Sequence, residues 1–523
     1  MVFNLQVFFY TLVILLLPAL HSFNMKSMIK SFGIGLINYW LLTITIIFLS
    51  NILNIQFLSR ELLIVFNLII LLVFIKNNYQ VKIIKSKKFL IYVIALLVFF
   101  SFFLSIFLDR YLIVGWDEYA KILLWTKTIF LSGNIYDSSL SNFILGDNPG
   151  LPILFASSTI LFNFYQEYFM VVVYLSFHLS LIFLIYELFE KIIKNNLPLI
   201  VNIIIFYLLA ELSWKLLPEN LQYENIQTYL FSSTFIIFIF YKKNFLDENS
   251  FLFCLLTLLL LLVFFKSNYI TILPIIFIFL VLQKINYKKL IVFFIPVFLI
   301  LILIKMQIPE TSRCHVNPFS SNNFIFLDYL GLTNNIFNKM INWLLNWKLI
   351  ISIFAFTFLI ISFKDKNLIS VSLLFLIWLI AYFIAVSLVI NNCFTDTEKN
   401  YLFAVERYLS IPFRSLHILG FIFFIFLIPN FSHLINKINF MNIFLLPILL
   451  ILLITQVYKS AIEITTRENT LKSVTSYNKI KYYNDYINNN AKYIPENFIS
   501  DVDLRYYELI REYNQLNVLK NKP

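Results

Sequence analysis

Long uninterrupted apolar runs dominate the hydrophobic pattern of this chain, and short polar segments separate them. A run of about 20 apolar residues crosses the hydrocarbon core of a membrane. Only helices and closed barrels satisfy their backbone amides there, and runs without polar alternation favour helices. We place the runs near 3–20, 34–53, 60–76, 88–107, 167–189, 196–212, 225–241, 250–265, 268–283, 289–305, 348–363, 367–390, 409–428 and 441–457. The pattern predicts an all-α, polytopic transmembrane bundle of about 12 to 14 spans.

The apolar segment LPILFASSTILFNF, which follows Pro149, is treated differently. It is short for a span and carries Ser157 and Ser158 in its middle. A crossing at this point would also invert every later connection between the runs. We therefore predict that the segment lies along the membrane surface.

The lysines predict the orientation of the bundle. They crowd the connections near 76–88, 191–194, 242–243, 284–289 and 364–366, which all fall on one side when the runs alternate. The positive-inside rule makes that side cytoplasmic. The longer connections 108–166, 213–224, 306–347 and 391–408 are then outside the cell or in the periplasm.

Composition agrees with this membrane assignment. The chain is 60% hydrophobic and 13% charged, which excludes the soluble globular classes. Its net charge of +12 comes mostly from lysines in short connections, so we expect no nucleic-acid partner. We predict a transmembrane domain over 1–457, retaining its first run as a helix, and a small polar extracytoplasmic segment over 458–523.

Two adjacent acids open the first long outer loop, in the stretch GWDEYAKILLWTK. Asp117 and Glu118 are candidates for catalysis at the membrane boundary, where partial desolvation makes a carboxylate more basic. Lys121 follows them at helical spacing, so a salt-bridged helix end is the structural alternative. The same loop ends in GDNPGLP, where Asp147 precedes a rigid turn.

Two basic positions lie on other outer segments. Arg407 and Tyr408, in ERYLSIPF, stand at the head of a late apolar run. The arginine either extends its charge to the membrane surface or binds a phosphate through its planar fork. Lys266, in FFKSNY, interrupts two apolar runs and is either an interfacial lysine in a hairpin turn or a ligand-binding residue.

For His178, in SFHLS, we predict a hydrogen-bonded packing role and no proton relay.

The order of these motifs resembles the GT-C class of polyprenyl-phosphate-dependent glycosyltransferases. This class includes the protein O-mannosyltransferases and the lipid A aminoarabinose transferases. The resemblance covers roughly 108–428 in motif order and rests on few identical residues. DNPGLP stands where the class has a proline-rich stretch, with Asn148 where the first proline often falls. More helices precede the acidic loop than the single one usual in the class, so the subfamily stays unidentified.

The resemblance implies a membrane enzyme that transfers a sugar from a polyprenyl-phosphate donor to an envelope glycan, a lipid or a protein. Asp117 would be the base, and Glu118 would orient the acceptor or tune Asp117, with the two roles exchangeable. The substrate-binding residues would be Lys121, Asp147, Lys266, Arg407 and Tyr408. We expect the inner membrane of a bacterium, with the site facing the periplasm or the cell exterior. The acidic pair lacks a third ligand, so we predict no metal, with a bridging divalent cation as the alternative.

Three other interpretations stay open. A transporter or flippase of lipid-linked saccharides would show internal repeats and charges at the bilayer midplane. An envelope oligosaccharide polymerase or ligase would use the outer loop 306–347, which holds Arg313 and His315. A catalytically silent membrane scaffold fits the motif order as well.

Overall fold

The computed structural model describes 4–80, 122–136, 148–166, 168–193, 223–265, 269–307, 366–393 and 405–426, with scattered positions between 90 and 105 and at 334 and 338. Within these ranges the regular elements are helices and no strand occurs. The helices are α1 (Leu5–Ile29), α2 (Phe32–Ile52), α3 (Ser59–Gln80), α4 (Leu124–Ser132), α5 (Gly150–Phe162), α6 (Tyr168–Ile193), α7 (Tyr223–Lys242), α8 (Glu248–Phe265), α9 (Tyr269–Leu282), α10 (Tyr287–Gln307), α11 (Lys366–Cys393) and α12 (Val405–Phe426).

Seven of the described helical segments are long and apolar enough to cross a membrane. They are Leu5–Lys26, Phe32–Ile52, Gln56–Asn77, Tyr168–Leu188, Glu248–Phe265, Tyr287–Gln307 and Leu368–Ser387. The prediction of an all-helical membrane bundle is therefore confirmed for this part of the chain. The count of about 12 to 14 spans stays a prediction. The runs near 196–212, 348–363 and 441–457, and the polar segment 458–523, lie outside the described residues.

Helix α6 lies at the centre of the described bundle. All of its apolar window is buried, whereas only 17% of the corresponding windows of α3 and α10 is buried. Helix α6 packs against α1, α2, α5, α7 and α12. The outer faces of α3 and α10 expose large aliphatic side chains, such as Leu72 and Ile302, as expected for helices that face lipid.

The helices run between two ends of the bundle. Side-chain contacts identify each end. At one end, Lys30 follows α1 and forms an ion pair of 2.5 Å with Asp247, which precedes α8. We call this the Lys30 end. At the other end, Asn148 donates a hydrogen bond of 2.6 Å to the backbone oxygen of Val263, near the last residue of α8. We call it the Gly150 end, because α5 begins there.

A buried carboxylate joins α2 and α6 at the Lys30 end. Glu187 of α6 accepts hydrogen bonds from the Ser31 hydroxyl at 2.7 Å and from the Phe32 amide at 2.6 Å. The amide belongs to the first turn of α2, where backbone N–H groups have no partner within the helix. Lys191 interacts electrostatically with this carboxylate and also donates a hydrogen bond to the backbone oxygen of Phe245 at 3.2 Å. The carboxylate therefore caps α2 and fixes it against α6.

Helix α1 extends well beyond the apolar run predicted at 3–20. It continues to Ile29 because its later polar residues find partners inside the bundle. His21 shares a hydrogen bond of 3.0 Å with Asn38, and the Ser22 hydroxyl donates to the Phe32 carbonyl at 2.6 Å. A polar residue therefore does not end a helix when a neighbouring helix satisfies it.

Helix α5 is the apolar segment that we placed on the membrane surface. Its first residue adjoins Phe264 of α8, and the Phe162 ring near its other end packs on Tyr10 and Phe169. Both ends of α5 therefore lie toward the Gly150 end, and the helix does not cross the bundle. Its position relative to the membrane surface stays a prediction, but the segment is not exposed on the outside of the bundle. Residues 150–160 are all buried, because α2, α3, α4, α6 and α8 enclose them.

The Lys30–Asp247 pair gives the Lys30 end a pH-dependent contribution to stability. The Lys30 ammonium and the Ser250 hydroxyl hold the pKa of Asp247 below its ordinary value. A carboxyl group with a lowered pKa stabilises the fold above the pKa of the unfolded chain, which is about 4. That contribution is lost as the pH falls through the lower pKa of the folded state.

We therefore expect Asp247→Asn to lower the thermal stability of the purified protein slightly at pH 7. Asparagine still caps the first turn of α8, so the substitution isolates the charge. The difference from wild type should shrink only below about pH 4. Melting curves of both proteins in detergent, followed from pH 7 to pH 3, would measure it. A difference that is constant across this range would contradict a charge-dependent contribution from Asp247.

Candidate functional site

The turn before α5 is attached to the last turn of α8. Beyond the Asn148 hydrogen bond to Val263, a side chain on Gly150 would meet the backbone oxygen of Phe264 at 2.5 Å and its carbonyl carbon at 2.6 Å. Only glycine permits this approach. The amide of Asn148 occupies a backbone acceptor near the end of α8, where the helix can no longer supply a donor. This Asn148 junction therefore fixes the GDNPGLP turn on α8.

The Asn148 junction joins the chain neighbours of two predicted site residues. Asn148 directly follows Asp147, and Val263 precedes Lys266 by three positions. Asp147 and Lys266 themselves lie outside the described residues, as do Asp117, Glu118 and Lys121. Their positions and their mutual contacts therefore stay predictions.

The later part of the acidic loop is anchored at the Gly150 end. Asn51 of α2 donates to the backbone oxygen of Gly133 at 3.2 Å, just after α4. The indole nitrogen of Trp125 donates to the Ile135 oxygen at 2.6 Å, which folds the loop back on itself. Lys127 is 1% exposed, and its ammonium lies 5.6 Å from the centre of the Tyr165 ring. The loop therefore packs into the bundle soon after the acidic pair in sequence.

Arg407 and Tyr408 lie in the first turn of α12, at the head of the helix as predicted. Tyr408 is partly buried and packs against the hydrophobic core. The side chain of Arg407 is not among those that the structure describes. Position 407 is seven residues before Arg414, so the two positions share one face of α12, about 10 Å apart along the helix axis.

A cluster of polar and ionisable side chains joins α6, α7 and α12. The guanidinium of Arg414 donates a hydrogen bond to the side-chain oxygen of Asn225. It also interacts electrostatically with the Tyr174 and Tyr229 hydroxyls and with the Glu224 carboxyl group. His178 completes the group through a hydrogen bond of 3.0 Å between its Nδ1 and the Tyr229 hydroxyl. We call these six residues the Arg414 cluster: Tyr174, His178, Glu224, Asn225, Tyr229 and Arg414.

The contact between His178 and Tyr229 confirms that His178 is hydrogen-bonded within the bundle. The neighbouring serines, Ser176 and Ser180, are not its partners, because their hydroxyls donate to backbone oxygens of their own helix. The His178 ring also packs edge-on against the Tyr229 ring, with centroids 5.4 Å apart. The histidine therefore joins α6 to α7 through both a polar and an aromatic contact.

The hydrophobic pattern concealed the Arg414 cluster. Arg414 falls inside the predicted apolar run 409–428, and Glu224 falls in the predicted connection 213–224, although the structure places it in the first turn of α7. An arginine within an apolar run is costly in a membrane unless the bundle provides partners for it. That cost is the signal in the sequence that indicates polar partners on neighbouring runs. The first half of α7, YENIQTYLFSST, carries them.

No group of three or more His, Cys, Asp and Glu side chains suitable for a metal ion occurs among the described residues. The acidic pair of the first loop is outside that set. Comparisons of the chain with protein-family models, with curated proteins and with solved structures found no match.

The Asn148 junction can be tested by two matched substitutions. Asn148→Ala removes one hydrogen bond and should cost about 1 kcal/mol of stability. Asn148→Asp places a carboxylate against the Val263 carbonyl oxygen, so we expect a larger loss, of about 2 to 3 kcal/mol. Thermal melting in detergent would rank the two variants. Equal stability of both variants and wild type would show that this contact does not hold the turn.

Proposed function

We propose that this chain is an integral membrane glycosyltransferase. It moves a sugar from a polyprenyl-phosphate donor to an envelope glycan, a lipid or a protein on the extracytoplasmic side. The order of the acidic pair, the proline-glycine turn and the Arg-Tyr pair supports the proposal, and the helical bundle is compatible with it. The observation that carries it furthest is the Asn148 junction, since it ties the flank of Asp147 to that of Lys266.

The proposed orientation places the Gly150 end outside the cytoplasm. Lys30, the last turns of α6 and α7, and the connection between α9 and α10 lie at the opposite end. These segments carry Lys191, Lys242, Lys243 and Lys284. Lysines in short connections favour the cytoplasmic side. Under this orientation the acidic loop, the GDNPGLP turn and Lys266 face the compartment in which the sugar is transferred.

In the proposed reaction, Asp117 removes the proton from the acceptor hydroxyl or amine. The acceptor atom then forms a bond to the anomeric carbon of the sugar, while the bond from that carbon to the phosphate oxygen breaks. Glu118 orients the acceptor or tunes Asp117, and the two acids can exchange roles. Lys121 and Asp147 would contact the substrate near the acids.

The lipid phosphate leaves with an added negative charge, which fixed cations must stabilise. Arg407 is the main candidate, assisted by Lys266 and Tyr408. Its position on the same face of α12 as Arg414 supports this role, since Arg414 faces the polar residues of α7. The loss of one such contact would raise the barrier by about 3 kcal/mol. We propose catalysis without a metal, with a divalent cation between the acids and the phosphate as the alternative.

The second candidate is a transporter or flippase of lipid-linked saccharides. The Arg414 cluster favours it, because ionisable side chains among membrane helices often mark substrate or ion pathways. The polymerase or ligase alternative depends on Arg313 and His315, which lie outside the described residues. We prefer the transferase, since the motif order accounts for the acidic loop and the transporter does not.

Replacement of the proposed base tests the transferase directly. Asp117→Asn preserves size and hydrogen bonding but cannot accept the proton, so the rate of sugar transfer should fall at least about 100-fold. The measurement is transfer of labelled sugar from lipid donors of defined headgroup to membrane acceptors in proteoliposomes. Asp247→Asn, at the Lys30 end, is the matched control and should keep the wild-type rate.

Two results would count against the proposal. Wild-type transfer by Asp117→Asn would remove Asp117 as the base. Movement of the lipid-linked saccharide across the bilayer without any transfer, in both wild type and Asp117→Asn, would favour the flippase.

A further inference from the structure

Glu187 and the Arg414 cluster lie at different positions along α6, and they differ in how their polar atoms are satisfied by hydrogen bonds. Glu187 at the Lys30 end has a hydroxyl donor and an amide donor on its two carboxylate oxygens. Such a satisfied carboxylate is a structural link between helices. The Arg414 cluster also links helices, but several polar atoms in its neighbourhood have no partner among the described residues. This difference indicates that the cluster has a role beyond packing.

Several buried polar atoms on the helices of the Arg414 cluster have no partner in the described part of the chain. Nε2 of His178 has no hydrogen-bond partner there, and His178 is only 4% exposed. The hydroxyls of Ser232 and Ser233 are also buried without such partners, three and four residues after Tyr229 on the same helix. The hydroxyl of Ser415, which follows Arg414 in α12, is also buried without such a partner. Buried polar atoms are almost always hydrogen-bonded in folded proteins, either to protein or to ordered water.

Two residues of the cluster retain solvent-accessible surface. Arg414 and Asn225 are partly exposed, whereas Tyr174, His178 and Tyr229 are buried. A series of polar groups leads from the partly exposed guanidinium, which interacts electrostatically with the Tyr229 hydroxyl, to the His178 ring, whose Nδ1 is hydrogen-bonded to that hydroxyl. An apolar ligand would leave the buried polar atoms along this series unsatisfied.

We propose that the Arg414 cluster is a binding site for water molecules inside the bundle, and that it hydrates His178 from an opening at Arg414 and Asn225. Water fits the chemistry because a buried water molecule makes several hydrogen bonds, as donor and as acceptor, to polar groups that the protein leaves unpaired. The charges agree. Arg414 and Glu224 bring one charge of each sign, so the site does not require a charged ligand. Its hydration is also independent of sugar transfer.

Radiolytic hydroxyl-radical footprinting of the wild-type protein in lipid nanodiscs tests this site, because radicals formed from bound water oxidise the side chains that touch it. Tyr174 and Tyr229 should be oxidised several-fold faster than their burial predicts. Phe235, on the same helix as Tyr229, and Trp378, which packs on Phe235, are the matched buried controls. Both controls are fully buried. An indole is intrinsically more reactive toward hydroxyl radicals than a phenol, so slow oxidation of Trp378 would show that no bound water contacts it.

The oxidation rates distinguish a hydrated cluster from a dry one and from a bundle that opens throughout. Fast oxidation of Tyr174 and Tyr229, with slow oxidation of Phe235 and Trp378, supports the site. Oxidation of the tyrosines no faster than that of the controls overturns it. Fast oxidation of all four residues would show general opening of the bundle and would also overturn it. A second arm uses Ser232→Ala with Ser233→Ala, which removes two groups that bind water and should slow the oxidation of Tyr229.

Discussion

Every polar group that this chain buries among its helices must find a partner within the bundle, because hydrocarbon provides none. Aliphatic side chains pack well against lipid and against each other, so they discriminate weakly between neighbouring helices. The polar contacts join particular helices. Asn38 bridges His21 of α1 and Thr257 of α8, at 3.0 Å and 3.1 Å. Glu187 fixes α2 on α6, and Asn148 fixes the turn before α5 on α8.

The two ends of the bundle differ in how their buried polar groups are satisfied. At the Lys30 end several polar groups are paired with each other, through ion pairs such as Lys289 with Glu248 and through the capping of α2 by Glu187. At the Gly150 end, polar contacts hold loops and turns, and buried atoms near the Arg414 cluster lack partners among the described residues. The Lys30 end is therefore a structural anchor. The proposed binding and chemistry belong to the Gly150 end and to the α6–α7–α12 cluster.

The sequence predicted those features that depend on composition along the chain. The long apolar runs and the lysine connections predicted the helices and the common end of several basic segments. The sequence could not predict contacts between distant runs. Nothing in the periodicity near Asn148 indicates that its side chain is hydrogen-bonded to the backbone of α8. Ser157 and Ser158 suggest a surface segment in the sequence, but they are buried in the structure. Arg414 was missed for the same reason, since its partners lie about 190 residues earlier in the chain.

The proposed transferase requires that the acidic loop and the head of α12 meet at one site. Asp117→Cys with Arg407→Cys, in a chain whose three native cysteines are replaced by serine, tests this requirement. A short thiol-reactive cross-linker applied to membranes should join the two positions. The pair Asp117→Cys with Asp247→Cys, which the proposal places at opposite ends, should remain unlinked. Efficient linkage of the control pair, or none between positions 117 and 407, would contradict a shared site.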